Sequence, residues 1–296
     1  MSEKTSGLEI GPLRESDRED VIEIAKHTWD GHDYLVHSFP KWIVDPNSHT
    51  AAIRINNKVV SVANLRVIDD GQTGWMEGLR VHHEYRGKGL ASVMTRHIVK
   101  IAVDLGVKRL RYTTASDNVQ SLHLASSVGL SIKFEMGGLW QENMDTITWR
   151  HRSIPVKKVD FKEIPKGVYE SDFFPHDIIV HDWKAYDVSP KILKELSKGA
   201  SFWISELDGE VSAFSIGGDR YEGDNKFWSA TIYAKDESVF LDHLSNHLEF
   251  ASEEYGGFFA AYPVWFMKLV ATLTWPNTSD DPFGEDIRML LLERIL

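Results

Sequence analysis

A chain of 296 residues is long enough for two domains of ordinary size, or for one large one. Its 42% hydrophobic and 26% charged residues exclude a disordered chain, and the absence of cysteine excludes disulfides, thiolate metal sites and a cysteine nucleophile. A formal charge of −11 opposes phosphate neutralisation, so no nucleic-acid partner is expected. No apolar run suits a membrane span or a secretory leader, so no membrane partner and a cytoplasmic location are expected.

Leu8 to Pro12 reads as a strand, and Ser16 to Thr28 as a helix, opened by Ser16 with Glu19 three residues on and carrying Val21, Ile22, Ile24 and Ala25 on one face. Trp29 to Pro46 reads as a long loop that holds Asp30, His32, Asp33, Tyr34, His37 and Trp42. Aromatic rings beside carboxylates suit a cationic or aromatic amine, because an ammonium pairs with Asp and packs over a π face. Ala51 to Ile55 and Val59 to Val67 form a predicted hairpin across Asn56-Asn57-Lys58, followed by a strand from Gly74 to Val81. On that strand Trp75, Glu77 and Leu79 share one face, and Met76, Gly78 and Arg80 the other.

The stretch Leu79 to Ala91, LRVHHEYRGKGLA, then joins a strand end to a glycine-bearing loop and a helix. Leu90, Val93, Met94, Ile98, Ile101, Ala102 and Leu105 repeat at helical spacing, which predicts a helix over 90–105. A helix start offers unpaired N–H groups and a positive dipole end. Gly87 and Gly89 allow close backbone approach, and Arg86 and Lys88 add charge, so the segment reads as a seat for a phosphate-bearing cofactor. Neither a Walker loop nor a dinucleotide fingerprint is present. Lys108-Arg109-Leu110-Arg111 reads as a solvated strand rim.

The spacing R-x-x-G-x-A at Arg86, Gly89 and Ala91, followed by Thr113 to Leu130 with Asn118 after a strand, resembles the GCN5-related N-acetyltransferase superfamily over roughly residues 7 to 150. The chain length and the loop WDGHDYLVHSFPKW resemble, within it, the histidine N-acetyltransferase group of animals. The resemblance implies an α/β fold, a mixed, mostly antiparallel sheet flanked by helices, and acetyl-CoA as co-substrate. It implies cofactor contacts from Leu79, Arg80, Val81, Arg86, Gly87, Lys88, Gly89, Leu90, Ala91 and Asn118, with the backbone of Leu79 and Val81 pairing with the pantetheine arm. Glu77 stands where the family often keeps a glutamate that removes the amine proton, and Gly78 allows the bulge that splays the strands. One departure stands out: the place of a tyrosine that protonates the thiolate in many members is Ala125.

The H-D-Y-x-x-H spacing in the long loop also fits metal ligands, but beside a thioester loop no metal is expected; Asp33, Tyr34, His37 and Trp42 are taken as substrate-binding. Residues 151–165, with two prolines and a basic patch, read as a linker. Residues 166–296 then read as a degenerate copy of the same fold that completes the substrate pocket. A hairpin crosses Asp208-Gly209, Phe227 to Ala234 is a strand, Val239 to Tyr255 a helix, Phe258 to Tyr262 a strand, and RMLLLERIL a closing strand. No R-x-x-G-x-A lies between Ala234 and Val239. The expected activity is transfer of an acetyl group to the α-amine of a free amino acid, histidine favoured, by direct attack in a ternary complex. A peptide or protein N-terminus and a non-catalytic CoA-binding module are the alternatives. The sequence does not decide the oligomeric state.

Overall fold

The computed structural model describes residues 8–28, 33–142, 144, 147, 149–170, 172–222, 225–273 and 287–296. Trp29, Asp30 and His32 of the long loop lie outside them. The chain forms two compact units: residues 1–112, 119–131 and 292–296 make up the first, and residues 113–118 and 132–291 the second.

In the first unit β1 (Leu8–Gly11), β2 (Ser48–Ile55), β3 (Lys58–Ile68), β4 (Thr73–Val81) and β5 (Arg109–Ala115) lie in that order across the sheet. All neighbours are antiparallel except β4 and β5, which are parallel. The β2–β3 turn places Asn56 and Asn57 at φ 52° and 64°, the left-handed pair that suits the twist of a two-residue hairpin.

α1 (Arg18–Lys26) starts later than Ser16, because Glu15–Asp17 forms a separate 3-10 turn in which the Asp17 carboxylate accepts from the Arg14 N–H at 2.7 Å and pairs with Arg54. The segment read as a loop holds a helix, α2 (Leu35–Val44). Leu35, Phe39 and Trp42 recur at helical spacing and are buried with Val21 and Ile24 of α1 against Ala52, Val59 and Val62. Burial of such side chains, worth about 1.5–3 kcal/mol each, outweighs Pro40 inside the helix.

α3 (Leu90–Leu105) buries Leu90, Met94, Ile98 and Ala102 and stops at Gly106, φ 72°. α4 (Val119–Ser127) follows β5. The basic run at the entry to β5 is not a solvated rim. Arg111 is buried, bonded to Glu293 at 2.7–2.8 Å and 3.6 Å from Asp69, while Arg109 donates to Thr73.

The second unit repeats the order of three antiparallel strands, a helix and a parallel strand. β6 (Ser131–Glu142) pairs with β13 (Gly257–Pro263), and β7 (Lys157–Val159) with β10 (Ala200–Leu207). β10, β11 (Glu210–Glu222) and β12 (Asn225–Ala234) are antiparallel, α7 (Glu237–Glu254) follows, and β13 returns parallel to β12. Asp208 and Gly209, at φ 53° and 81°, turn β10 into β11.

Around this sheet are α5 (Lys166–Tyr169), a small hairpin of β8 (Ile178–His181) and β9 (Lys184–Asp187), α6 (Pro190–Leu196) and α8 (Met267–Val270); β14 (Arg288–Ile295) closes the chain. Phe240, Leu244 and Leu248 of α7 are buried on Phe258, Ala260 and Tyr262 of β13. Residues 151–154 are held by Asp242 of α7, whose carboxylate accepts from the N–H groups of Ser153 and Ile154 at 2.6 and 3.1 Å and meets the His151 ring at 3.0 Å.

Candidate active site

The site is built on β4. Its ladder with β5 covers only Thr73 to Trp75 against Arg109 to Arg111, so from Met76 onward the two strands diverge. On the other side β4 follows β3, with Asn64 opposite Glu77 and Val62 opposite Arg80. Gly78 and Leu79 therefore face Ala63 alone, a bulge with Gly78 at φ 67° that breaks the strict alternation of faces. Only glycine fits there, since a Cβ would also stand 2.1 Å from a ring carbon of Trp42. The α2 tryptophan thus lies directly on the bulge beside Glu77.

Glu77 is half-buried, and its carboxylate accepts from the Asn64 side-chain amide at 2.9 Å. Asn64 is wholly buried and also reaches the Ser48 hydroxyl at 3.2 Å, so it fixes one face of the carboxylate. Asn64 belongs to none of the sequence motifs. The available signal is an amide inside the apolar run of β3, since a buried polar side chain requires a partner.

Past Val81 the chain makes a 3-10 turn, His83–Tyr85, capped by the His82 ring, which accepts from the Glu84 N–H at 3.3 Å. His82 is buried, and burial followed by the neighbouring Lys58 charge lowers its pKa, so the ring is a neutral acceptor there. Gly87 and Gly89 have φ 73° and 79°, and a Cβ at either would meet nothing within 4 Å. Glycine is required here by backbone conformation, and the space over the loop is open. Gly89 caps α3 without a side-chain acceptor, so the first N–H groups, from Leu90 and Ala91 onward, point into that space. Arg86 folds back to donate to the carbonyls of Val81 at 3.2 Å and His27 at 3.0 Å, while exposed Lys88 stands 4.6 Å from the Tyr85 ring centre.

Arg80 and Asp33 meet each other. The guanidinium donates to both carboxylate oxygens, at 2.7 and 3.1 Å, and to the Leu79 carbonyl at 3.0 Å, and it lies 5.3 Å from the Tyr34 ring centre. Asp33 is buried and its carboxylate also accepts from the Leu35 N–H at 3.1 Å, which starts α2. The pair therefore ties α2 to the strand that carries Glu77. Tyr34 and Trp42 are gathered at that strand and His37 is exposed on α2. Asn118 is exposed immediately before α4, and Ala125 is buried on α4. Among the described residues no group of three or more His, Asp or Glu is placed to hold a metal, and no helix is long and apolar enough to cross a membrane.

A strand that splays at a bulge, a carboxylate beside the bulge and an open glycine-capped helix start form the architecture of an acetyl-transferring enzyme. The acetyltransferase (GNAT) family description matches residues 18–130. Histidine N-acetyltransferases of Oreochromis niloticus and Scomber australasicus are 25% and 24% identical to this chain, each alignment covering 82% of it and 80% of the relative.

In fold, the chain is similar to the tandem GNAT protein from the clavulanic acid biosynthesis pathway, with TM-score 0.62 and 12% identity over 97% of this chain and 98% of the other. It is also similar to a GCN5-related N-acetyltransferase from Sphaerobacter thermophilus, with TM-score 0.61 and 9% identity over 97% and 95%. The match to the GNAT family lies in the first half of the chain; the protein is an acyltransferase with the GNAT fold, built as two copies of which the second lacks the glycine loop. It resembles the animal histidine N-acetyltransferases.

Proposed function

We propose that the protein transfers the acetyl group of acetyl-CoA to the α-amine of a free amino acid, with histidine favoured, by direct attack in a ternary complex. The observation that carries this reading is the placement of Glu77 on a bulged strand that leads, through the His83–Tyr85 turn and the glycine loop, to the open α3 N-terminus. The pyrophosphate takes the N–H groups of the Gly87–Ala91 turn, with the charges of Arg86 and Lys88 beside it. The pantetheine arm lies along Leu79 and Val81 in the divergence of β4 and β5, as a short added strand, and Asn118 completes the cofactor contacts.

An amine attacks a thioester only when neutral. Glu77, held by Asn64, takes its proton, directly or through water. Tyr34, His37 and Trp42 line the acceptor side. Asp33, whose oxygens Arg80 engages, acts by seating α2. The preference for histidine rests on the two fish relatives, whose names give that substrate.

The test is CoA thiol release from acetyl-CoA against a panel of free amino acids and short peptides, with mass spectrometry of the product. Acetylated histidine as the main product is expected, and Glu77→Gln should bind acetyl-CoA with normal affinity while kcat falls at least 10²-fold. Acetylation of peptides alone overturns the free amino acid as acceptor, and unchanged kcat in the variant removes Glu77 from the chemistry.

A further inference from the structure

Acyl transfer has a second proton to place. When the amine nitrogen has bonded to the carbonyl carbon, the C–S bond breaks, its electron pair goes to sulfur, and the thiolate takes a proton as it leaves. The donor must stand where β4 and β5 diverge. The last paired residues are Trp75 and Arg111, so the first residue of β5 beyond the ladder is Tyr112. Its side chain alternates with that of Arg111 and shares the face of Leu110. It is half-buried, and its phenol oxygen lies 2.9 Å from the Ser121 carbonyl and 3.1 Å from the Ser121 hydroxyl. Ser121 stands one turn before Ala125 on α4, so the phenol reaches, from the strand, the helix face on which residue 125 has no proton to give.

We propose that Tyr112 is the acid that protonates the departing CoA thiolate, with the Ser121 hydroxyl as the donor that holds the phenolate formed. This assignment rests on the acetyl-transfer reading above. In the resting state the phenol donates to the Ser121 carbonyl. During the step its O–H turns to sulfur, and the Ser121 O–H, at 3.1 Å, turns to the phenol oxygen. The phenolate then recovers a proton from water, while Glu77 releases to water the proton taken from the amine. The sum is amine plus thioester giving amide plus thiol. Burial raises the phenol pKa and the Ser121 hydrogen bond opposes the rise, so the group is protonated at neutral pH and Ser121 tunes it.

The experiment is the pH profile of kcat with saturating acetyl-CoA and acceptor, for the wild-type enzyme and for one carrying a ring-difluorinated tyrosine at position 112, which keeps the shape and makes the phenol more acidic. The alkaline limb is expected to move to lower pH in the fluorinated enzyme and to higher pH in Ser121→Ala. Tyr112→Phe should lose roughly 10²-fold in kcat with KM for acetyl-CoA within about twofold. A limb that does not move on fluorination, or a Tyr112→Phe enzyme with wild-type kcat, overturns the assignment while leaving acetyl transfer intact. A wild-type enzyme that acetylates no acceptor overturns both.

Discussion

Glu77 is held on one side by a neighbour from the adjacent strand. A buried amide on β3 donates to its carboxylate, and a hydrogen bond to a charged group is worth about 1.5–3 kcal/mol. Asn64→Ala should therefore lower kcat roughly tenfold or more without changing KM for acetyl-CoA, because the Asn64 amide bonds to Glu77 and Ser48 and, among the described residues, not to the α3 N-terminus. Steady-state kinetics on the folded variant checks this, and an unchanged kcat would show that Glu77 orients itself. The position of Glu77 on β4 is legible because its distance from the glycine loop is set by chain spacing. Asn64 is not, because its role comes from a partner across the strand, and no local pattern in β3 announces which residue of β4 stands opposite. The same holds for the ion pair of Arg80 and Asp33, 47 residues apart in sequence, which no local pattern announces.

Helices differ in how plainly the sequence declares them. α3 is legible from Leu90 to Leu105 because its apolar spacing, its glycine start and its glycine stop all agree. α2 is not legible, because Pro40 and a run of aromatic and histidine residues obscure a helix whose stability comes from packing on α1. The two helix starts that follow the central strands also differ chemically. α3 begins on Gly89 with no side-chain cap, whereas at α7 the Asp236 carboxylate accepts from the Val239 N–H at 3.0 Å, Glu237 adds a second negative charge, and Lys235 pairs with Glu210. An anion seat occupied by the protein's own carboxylate repels a pyrophosphate. Calorimetry should accordingly find one acetyl-CoA per chain. Gly89→Glu, which puts bulk and negative charge on the open start at a positive φ, should abolish that single event. Two equivalent sites, or normal affinity in Gly89→Glu, would contradict the assignment of the cofactor to α3.

At the scale of the whole molecule, stability should depend steeply on acid, because the second unit is organised around neutral histidines. The Trp228 N–H donates to His247 at 3.1 Å, leaving the other His247 nitrogen to donate to the Ser215 hydroxyl at 2.8 Å. Ser215 then donates to His243 at 2.7 Å, His243 to Ser205 at 3.1 Å, and Ser205 to the Pro155 carbonyl at 2.8 Å. Each ring is donor on one side and acceptor on the other, so a proton added to either sets two donors face to face. Burial, the larger cause, pushes His243 down to about 3 from 6.5, and lowers His247 well below its usual value.

Between the folded and unfolded values the unfolded chain binds protons that the folded chain does not. Each histidine then removes about 1.4 kcal/mol of stability per pH unit as pH falls below 6.5, for His243 down toward 3, and above 6.5 neither contributes. Asp242 adds to the same trend further down. Against the opposing cost of burial, hydrogen bonds from Ser153, Ile154 and His151 hold its pKa low, so its contribution is lost as pH drops below the ordinary carboxylate range. Two histidines together remove roughly 3 kcal/mol per pH unit, against a stability of about 5–15 kcal/mol for an ordinary domain, so the second unit should unfold on mild acidification. Urea unfolding of the full chain followed from pH 7 to 4.5 tests this, and His247→Gln should flatten the slope by about 1.4 kcal/mol per pH unit although it lowers stability at pH 7. A variant with the wild-type slope would mean that His247 is charged in the folded protein and that the chain of donors runs another way.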